Sequence, residues 1–198
     1  EAVKGNRPFD LINPRTRKPS RTMKARSLFD LIVNAAWRTG DPGLIFLDEI
    51  NRKNPTPGVG EIEATNPCGE LPLLPYESCN LASINLARMV KGDALDWERL
   101  KDRVTWGIRF LDNVIDVNTF PLPEVAEITR ANRKIGLGVM GFADMLIRLG
   151  IPYTSNEAIR FAERLMHFIR TESLRASAAL AEERGVFPNF EKSLYAKN

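Results

Sequence analysis

The residues best able to do chemistry cluster in Thr65-Asn66-Pro67-Cys68-Gly69-Glu70. Asn66, Cys68 and Glu70 stand at i, i+2 and i+4, a spacing that places all three on one side of an extended stretch. Pro67 withholds a backbone donor and Gly69 a side chain, so the segment favours a tight, exposed tip over a continued helix. An amide, a thiol and a carboxylate are thereby offered to one small molecule. A nucleophilic cysteine needs a thiolate, drawn out by a cation or an imidazole. The near neighbour here is Glu70, whose negative charge opposes a thiolate, and the only histidine, His167, lies about a hundred residues away. A cysteine–histidine hydrolase is therefore disfavoured. Metal binding fares no better, because Cys68 and Cys79 are eleven positions apart with no flanking histidine. A neutral thiol beside a carboxylate suits hydrogen-atom chemistry, with Cys68 as a thiyl radical and Glu70 moving a proton.

The second thiol, Cys79, lies in Glu77-Ser78-Cys79-Asn80-Leu81. Composition alone favours an inert buried cysteine there. A redox role becomes attractive only if another cysteine faces it, and a Cys68–Cys79 disulfide would quench the first site.

The elements that must position these groups follow from periodicity. Phe9 to Ile12 alternates apolar and polar before Asn13-Pro14, which predicts a short strand and a turn. From Ala25 a helical period begins, with Leu28, Leu31, Ile32 and Ala35 on one face and Gly40 as its C-terminal cap. Gly43 to Leu47 is a near-continuous apolar run and is expected to be a strand covered on both faces. Asn51 to Gly60 reads as a loop. Asp96 is the expected N-cap of a long helix with Trp97, Leu100, Val104, Ile108, Leu111 and Ile115 inward, ending near Pro121 and Pro123. Lys134 to Val139 predicts another buried strand, and Phe142 to Leu149 a short helix. Thr154 and Glu157 are spaced as a capping box. The helix they open would turn Ile159, Ala162, Leu165, Ile169 and Leu180 inward and close at Gly185. Strands alternating with helices imply an α/β fold with largely parallel strands, and four or five strands are too few to close a barrel.

Residues 136–141 form a literal G-x-G-x-x-G between a strand and a helix. A dinucleotide site would continue into a second strand ending in an acid about twenty residues later, and a long helix occupies that place instead. The glycines are expected to serve close packing. A dinucleotide-binding α/β module using Gly136 to Gly141 is the competing reading, and binding of a nicotinamide or flavin dinucleotide would favour it.

The 198 residues carry 43% hydrophobic and 27% charged residues, an ordinary globular balance with enough apolar mass for a core. No apolar run is long enough to span a bilayer, and no charged-then-apolar leader opens the chain. Two cysteines are too few for a disulfide scaffold, so a cytoplasmic protein is expected. Between Glu1 and Arg26 lie eight basic residues against two acids. Such a stretch could meet phosphates, but no aromatic residues interleave it as a single-strand nucleic-acid platform needs, and a solvated turn is expected. The ends carry no linker signal, and the chain reads as a single partial domain, 1–198, from a longer polypeptide.

Asn66-Pro67-Cys68-Gly69-Glu70, followed by Leu71-Pro72-Leu73-Leu74-Pro75-Tyr76-Glu77-Ser78-Cys79-Asn80-Leu81, resembles the active-site loop of ribonucleotide reductases. The likeness extends through Phe9 to Pro14, Trp37 to Asp48, Asn51 to Pro57 and Arg133 to Leu146. The Pro67 and Gly69 form is similar to the adenosylcobalamin-dependent (class II) enzymes, whereas oxygen-dependent class I large subunits usually differ at both positions. The resemblance implies part of a ten-stranded α/β barrel, with a dry, enclosed cysteine loop (about residues 62–81) through its centre. It further implies that Cys68 is the thiyl that abstracts the 3′ hydrogen of a ribonucleoside di- or triphosphate. Glu70 would take the 3′-hydroxyl proton, Asn66 would hold the ribose hydroxyls, and Cys79 would be half of the dithiol that reduces the 2′ position.

Adenosylcobalamin is the implied cofactor, with a metal-radical small subunit as the alternative. A thioredoxin-like reductant, allosteric nucleotides and a homodimeric parent are the implied partners. The partner of Cys79 is expected upstream of Glu1, and the phosphate-binding turn beyond Asn198. The isolated piece is therefore expected not to turn over. A non-catalytic relative would have no need of Asn66, Cys68, Glu70 and Cys79 together. A glycyl-radical enzyme would require a glycine loop that the chain does not carry.

Overall fold

The computed structural model describes residues 1–197, which divide into two compact units, Glu1–Phe46 and one beginning at Leu47. In the first unit, β1 (Pro8–Ile12) and β2 (Pro19–Lys24) form an antiparallel hairpin. Asn13 makes the turn: its Oδ1 accepts the Arg15 and Thr16 N–H groups at 2.9 and 3.2 Å, an Asx turn. The basic stretch expected to be a solvated turn is therefore mostly an exposed hairpin. Helix α1 (Ala25–Thr39) follows and ends as expected on Gly40, whose φ of 83° is left-handed and whose N–H reaches the Ala36 carbonyl.

The expected strand at Gly43–Leu47 does not form. Leu44, Ile45 and Phe46 lie outside any helix or strand and are exposed, and Leu47 opens a short helix, α2 (Leu47–Arg52), with Asp48 and Glu49 in its first turn. An all-apolar strand requires hydrogen-bonded neighbours, and none of the described residues pairs with this run.

The second unit is built on one parallel pair. Strand β5 (Asn80–Asn85) lies beside β8 (Ile135–Met140) in register Asn80↔Ile135 through Asn85↔Met140. Parallel neighbours need a long crossover. Here it runs through a small hairpin, β6 (Val90–Lys91) and β7 (Ala94–Leu95), and then the helices α3 (Trp97–Val117) and α4 (Pro123–Asn132). Asp96 caps α3 by accepting the Arg99 N–H at 3.0 Å, and Leu100, Val104, Ile108, Leu111 and Ile115 are all buried, as the period predicts.

Two further helices, α5 (Phe142–Arg148) and α6 (Asn156–Arg184), complete the core, where Met145, Leu146, Leu165 and Ile169 meet the α3 stripe. The capping box was misplaced by one residue: Ser155, not Thr154, caps α6 by accepting the Ala158 N–H at 3.1 Å. The inward stripe accordingly starts at Ala158, and Ile159 is exposed.

Helix α4 was not anticipated, although Pro123 at its first turn and Arg130 in its last are ordinary boundary residues. Of the four strand pairs among the described residues only β5–β8 is parallel, which corrects the expectation of mainly parallel strands. The fold is nevertheless α/β, and no barrel closes among the described residues. Among the described residues no helix is long and apolar enough to cross a membrane.

Gly136 faces Leu81 across the β5–β8 pair so closely that a Cβ there would overlap the leucine side chain. Gly141, with a φ of 69°, starts α5 beside Asn85. The G-x-G-x-x-G run thus lets a strand and a helix pack closely.

Candidate active site

Cys68 sits at the tip of a short hairpin. Strands β3 (Ala64–Thr65) and β4 (Pro72–Leu73) pair antiparallel, with Thr65 opposite Pro72, and residues 66–71 form the loop between them. Its base is anchored by Asn51, whose amide accepts the Ile62 N–H at 2.7 Å and donates to the Ile62 carbonyl at 2.8 Å, as a paired strand would. Within the loop the Gly69 N–H donates to the Asn66 carbonyl at 3.0 Å, and Gly69 has a φ of 84°. The loop is therefore a turn, and the extended geometry expected for Asn66, Cys68 and Glu70 is not adopted; the tight tip announced by Pro67 and Gly69 is.

Asn66 is half-buried and its Oδ1 accepts the Leu71 N–H at 2.9 Å, which closes the loop across its neck. The Asn66 NH₂ has no partner among the described residues, so two donors are free for a ligand. Cys68 and Glu70 are exposed. Among the described residues nothing covers the tip, so the enclosure expected around Cys68 is not seen there.

Cys79 has a different setting. It is half-buried immediately before β5, and its thiol is free. Burial pushes it above the ordinary thiol range; the Glu77 carboxylate adds to the rise, the Lys134 ammonium opposes it, and the Glu70 carboxylate adds again. Glu70 is thus within electrostatic reach of Cys79, although the two belong to different turns. Beside Cys79 opens a cavity of about 560 Å³, lined among others by Leu71, Leu73, Asn132, Lys134 and Phe187. Cys68, Asn66 and Glu70 do not line it.

Sequence reasoning missed the residue that organises this region. The Glu77 side chain is completely buried, and its carboxylate accepts three hydrogen bonds: from the Leu74 N–H at 2.9 Å, Asn132 Nδ2 at 2.6 Å and Lys134 Nζ at 2.7 Å. Its own N–H returns to the Leu74 carbonyl at 3.0 Å, so Glu77 closes the turn from both ends. Asn132 in turn accepts from Asn189 at 2.7 Å.

Ser78 meets the Thr129 hydroxyl at 2.8 Å, and the Asn80 amide donates to the Leu111 carbonyl at 2.8 Å. The segment 77–80 is therefore tied by side chains to α3, α4 and β8. Between Asn132 and Lys134 the chain turns through Arg133, whose left-handed φ of 48° swings its guanidinium to Asp112 and Asp116 at 2.8 and 2.7 Å. That contact holds the Asp116 carboxyl below its usual range. The local signal for Glu77 is weak, since nothing nearby distinguishes a buried acid from an exposed one.

Residues 9–198 match the family described as "Ribonucleotide reductase, barrel domain". The chain is 60% identical over 189 residues to a protein of Thermoplasma acidophilum named vitamin B12-dependent ribonucleoside-diphosphate reductase, covering 95% of this chain and 25% of that one. It is 58% identical over 197 residues to the protein of the same name from Mycobacterium tuberculosis, covering 100% of this chain and 28% of the relative. The ribonucleoside-diphosphate reductase subunit alpha of Chlamydia pneumoniae is 38% identical over 175 residues, 86% of this chain and 17% of its own. The chain thus spans about a quarter of the length of the first two relatives.

Proposed function

Because the chain belongs to the family of ribonucleotide reductase barrel domains, we propose that it is the cysteine-loop segment of a catalytic barrel that reduces ribonucleotides to deoxyribonucleotides. The observation that carries this reading is Asn66-Pro67-Cys68-Gly69-Glu70 at the tip of an exposed hairpin, inside a match that runs from residue 9 to 198. Residues 1–198 are one part of that barrel, and the remaining strands of the parent enclose the tip.

Cys68, as a thiyl, takes the 3′ hydrogen atom of the bound ribonucleotide and later returns it. Glu70 accepts the 3′-hydroxyl proton, and the free NH₂ of Asn66 donates to the ribose hydroxyls. The 2′ hydroxyl leaves as water. The two electrons come from Cys79 and a second cysteine upstream, which close a disulfide as their hydrogens are used. An oxidised pair of this kind calls for a thioredoxin-like dithiol reductant, in keeping with a cytoplasmic setting.

Adenosylcobalamin, when bound to the parent, supplies the radical that oxidises the Cys68 thiol. The fit lies in that recipient: an exposed sulfur on a loop tip can be approached from outside this chain. That the relatives are named as vitamin B12-dependent supports this source over a metal-radical small subunit. Substrate phosphates, allosteric nucleotides and a homodimeric assembly belong to the parent.

The test is an anaerobic assay of the full-length parent with ribonucleoside di- and triphosphates, adenosylcobalamin and a dithiol. Deoxynucleotide formation that needs the cobalamin and disappears in Cys68→Ser is expected. Activity that appears only with an added metal-radical subunit would keep the reaction and change the radical source.

A further inference from the structure

The carboxylate of Glu77 is out of contact with solvent, at some distance from the exposed loop that carries Cys68, and the reaction outlined above makes no use of it. Burying an ion pair is unfavourable before its hydrogen bonds are counted, and apolar residues often fill the same volume as stably. Glu77 and Lys134 therefore call for an explanation other than packing.

Their placement supplies one. Glu77 is two residues before Cys79, and its three donors come from its own turn (Leu74), the end of α4 (Asn132) and the residue just before β8 (Lys134). Asn132, Lys134 and Cys79 line the same cavity. We infer that Glu77 is a positioning residue for Cys79: its clamped carboxylate fixes the entry to β5 that presents the sulfur and holds a negative charge two residues from it.

The charges around Cys79 bear this out. Glu77 acts from its own segment, Glu70 from the hairpin loop and Lys134 from just before β8, two anions against one cation. Arg133 and Tyr195 also line the cavity, but the Arg133 guanidinium is engaged by Asp112 and Asp116 on α3. Burial and both carboxylates oppose a thiolate, and only Lys134 favours one. A thiolate is the form that exchanges with disulfides and reacts with electrophiles. Holding Cys79 as the thiol keeps its hydrogen in place and its sulfur unreactive until turnover. That purpose rests on the reading of Cys79 as half of a redox dithiol; the effect of Glu77 on the sulfur does not.

The experiment uses the fully reduced parent enzyme and follows alkylation of Cys79 by iodoacetamide against pH, resolved by mass spectrometry of its peptide. Glu77→Gln preserves shape and removes the charge. Its midpoint is expected to fall, which leaves more thiolate at a given pH below the midpoint. Lys134→Met removes the opposing cation, and its midpoint is expected to rise. Loosened packing would move both variants in the same direction, so opposite shifts identify the charges as the cause.

Midpoints within about 0.3 unit of the parent in both variants, or shifts of the same sign, would overturn the inference. Should Glu77→Gln not fold, Lys134→Met decides alone: no rise overturns it. Turnover of Cys79→Ser is measured separately. Full activity there would remove the redox reading while leaving the alkylation shifts to be judged by themselves.

Discussion

Cys68 and Cys79 stand eleven residues apart and are held by different means. The Cys68 loop is defined by backbone: a two-residue ladder, one N–H to carbonyl turn bond, a left-handed glycine and a single side-chain bond across its neck. Cys79 is defined by side chains, through Glu77, Ser78 and Asn80, each bonded to a residue at least 31 positions away. A backbone-defined tip leaves Cys68 and Glu70 uncovered and Asn66 half-buried. A side-chain-defined segment is rigid and already carries its own electrostatic environment. The chain thus holds charged neighbours of the second thiol but, among the described residues, only the bare tip of the first.

The sharpest way to break this contrast is to exchange roles between activity and stability. Cys68→Ser in the parent is expected to lower deoxynucleotide formation on the order of 10⁴-fold or more, the scale of losing a reacting group, while leaving the thermal midpoint in place. A matching loss of stability would mean that the Cys68 sulfur holds the tip together rather than being carried by it.

Next in size is a pair of acids. Glu77→Ala leaves Lys134 and Asn132 without their partner in a largely buried site and is expected to destabilise the parent by about 3–5 kcal/mol in denaturant unfolding. Glu70→Gln, on the exposed loop, is expected to change stability by less than about 0.5 kcal/mol and still lower turnover by roughly 10²-fold or more. Equal unfolding penalties would erase the distinction between the two regions.

A smaller effect is expected at Gly69, whose φ of 84° disfavours any Cβ. Gly69→Ala should cost about 1 kcal/mol locally, read as faster hydrogen exchange at the Leu71 amide with the global midpoint almost unmoved.

The smallest concerns the far side of the 132–134 turn. The Asp116 carboxyl is held below its usual range by Arg133, so its contribution is present above the unfolded carboxyl's titration, near pH ~4, and is lost as pH falls through the depressed folded value. The group is more than half exposed, so the contribution stays below about 1 kcal/mol. Asp116→Asn should lower the thermal midpoint slightly at neutral pH and not at all in strong acid. An unchanged difference at both would remove the ion pair from the account.

What the sequence revealed follows how local each signal is. Helix α3 was readable residue by residue because its cap and its buried stripe lie within one element. Strand β8 and the packing role of its glycines were readable because a helix stands where a dinucleotide site needs a strand.

The strand expected at Gly43–Leu47 failed for the opposite reason: an apolar run says that it wants covering, but not whether its neighbours are present. Strand β2 was missed because Ser20, Arg21 and Thr22 are exposed on both faces and give no alternation. At the site, the residue types of the Cys68 loop announced its tight tip, while its turn conformation depends on the Gly69–Asn66 bond. Glu77 was silent because its role is set by Asn132 and Lys134, more than fifty residues later.

The parallel pairing of β5 with β8 also sets a clock. During synthesis β5 leaves the ribosome first, then α3 and α4, and only then the strand that satisfies β5's edge. At about 5–20 residues per second the wait lasts several seconds. Through that interval the nascent strand offers unpaired amides and carbonyls, with the Cys79 thiol directly before them. A chaperone that binds extended apolar chain has its best opportunity then, and slower translation of α3 would lengthen it.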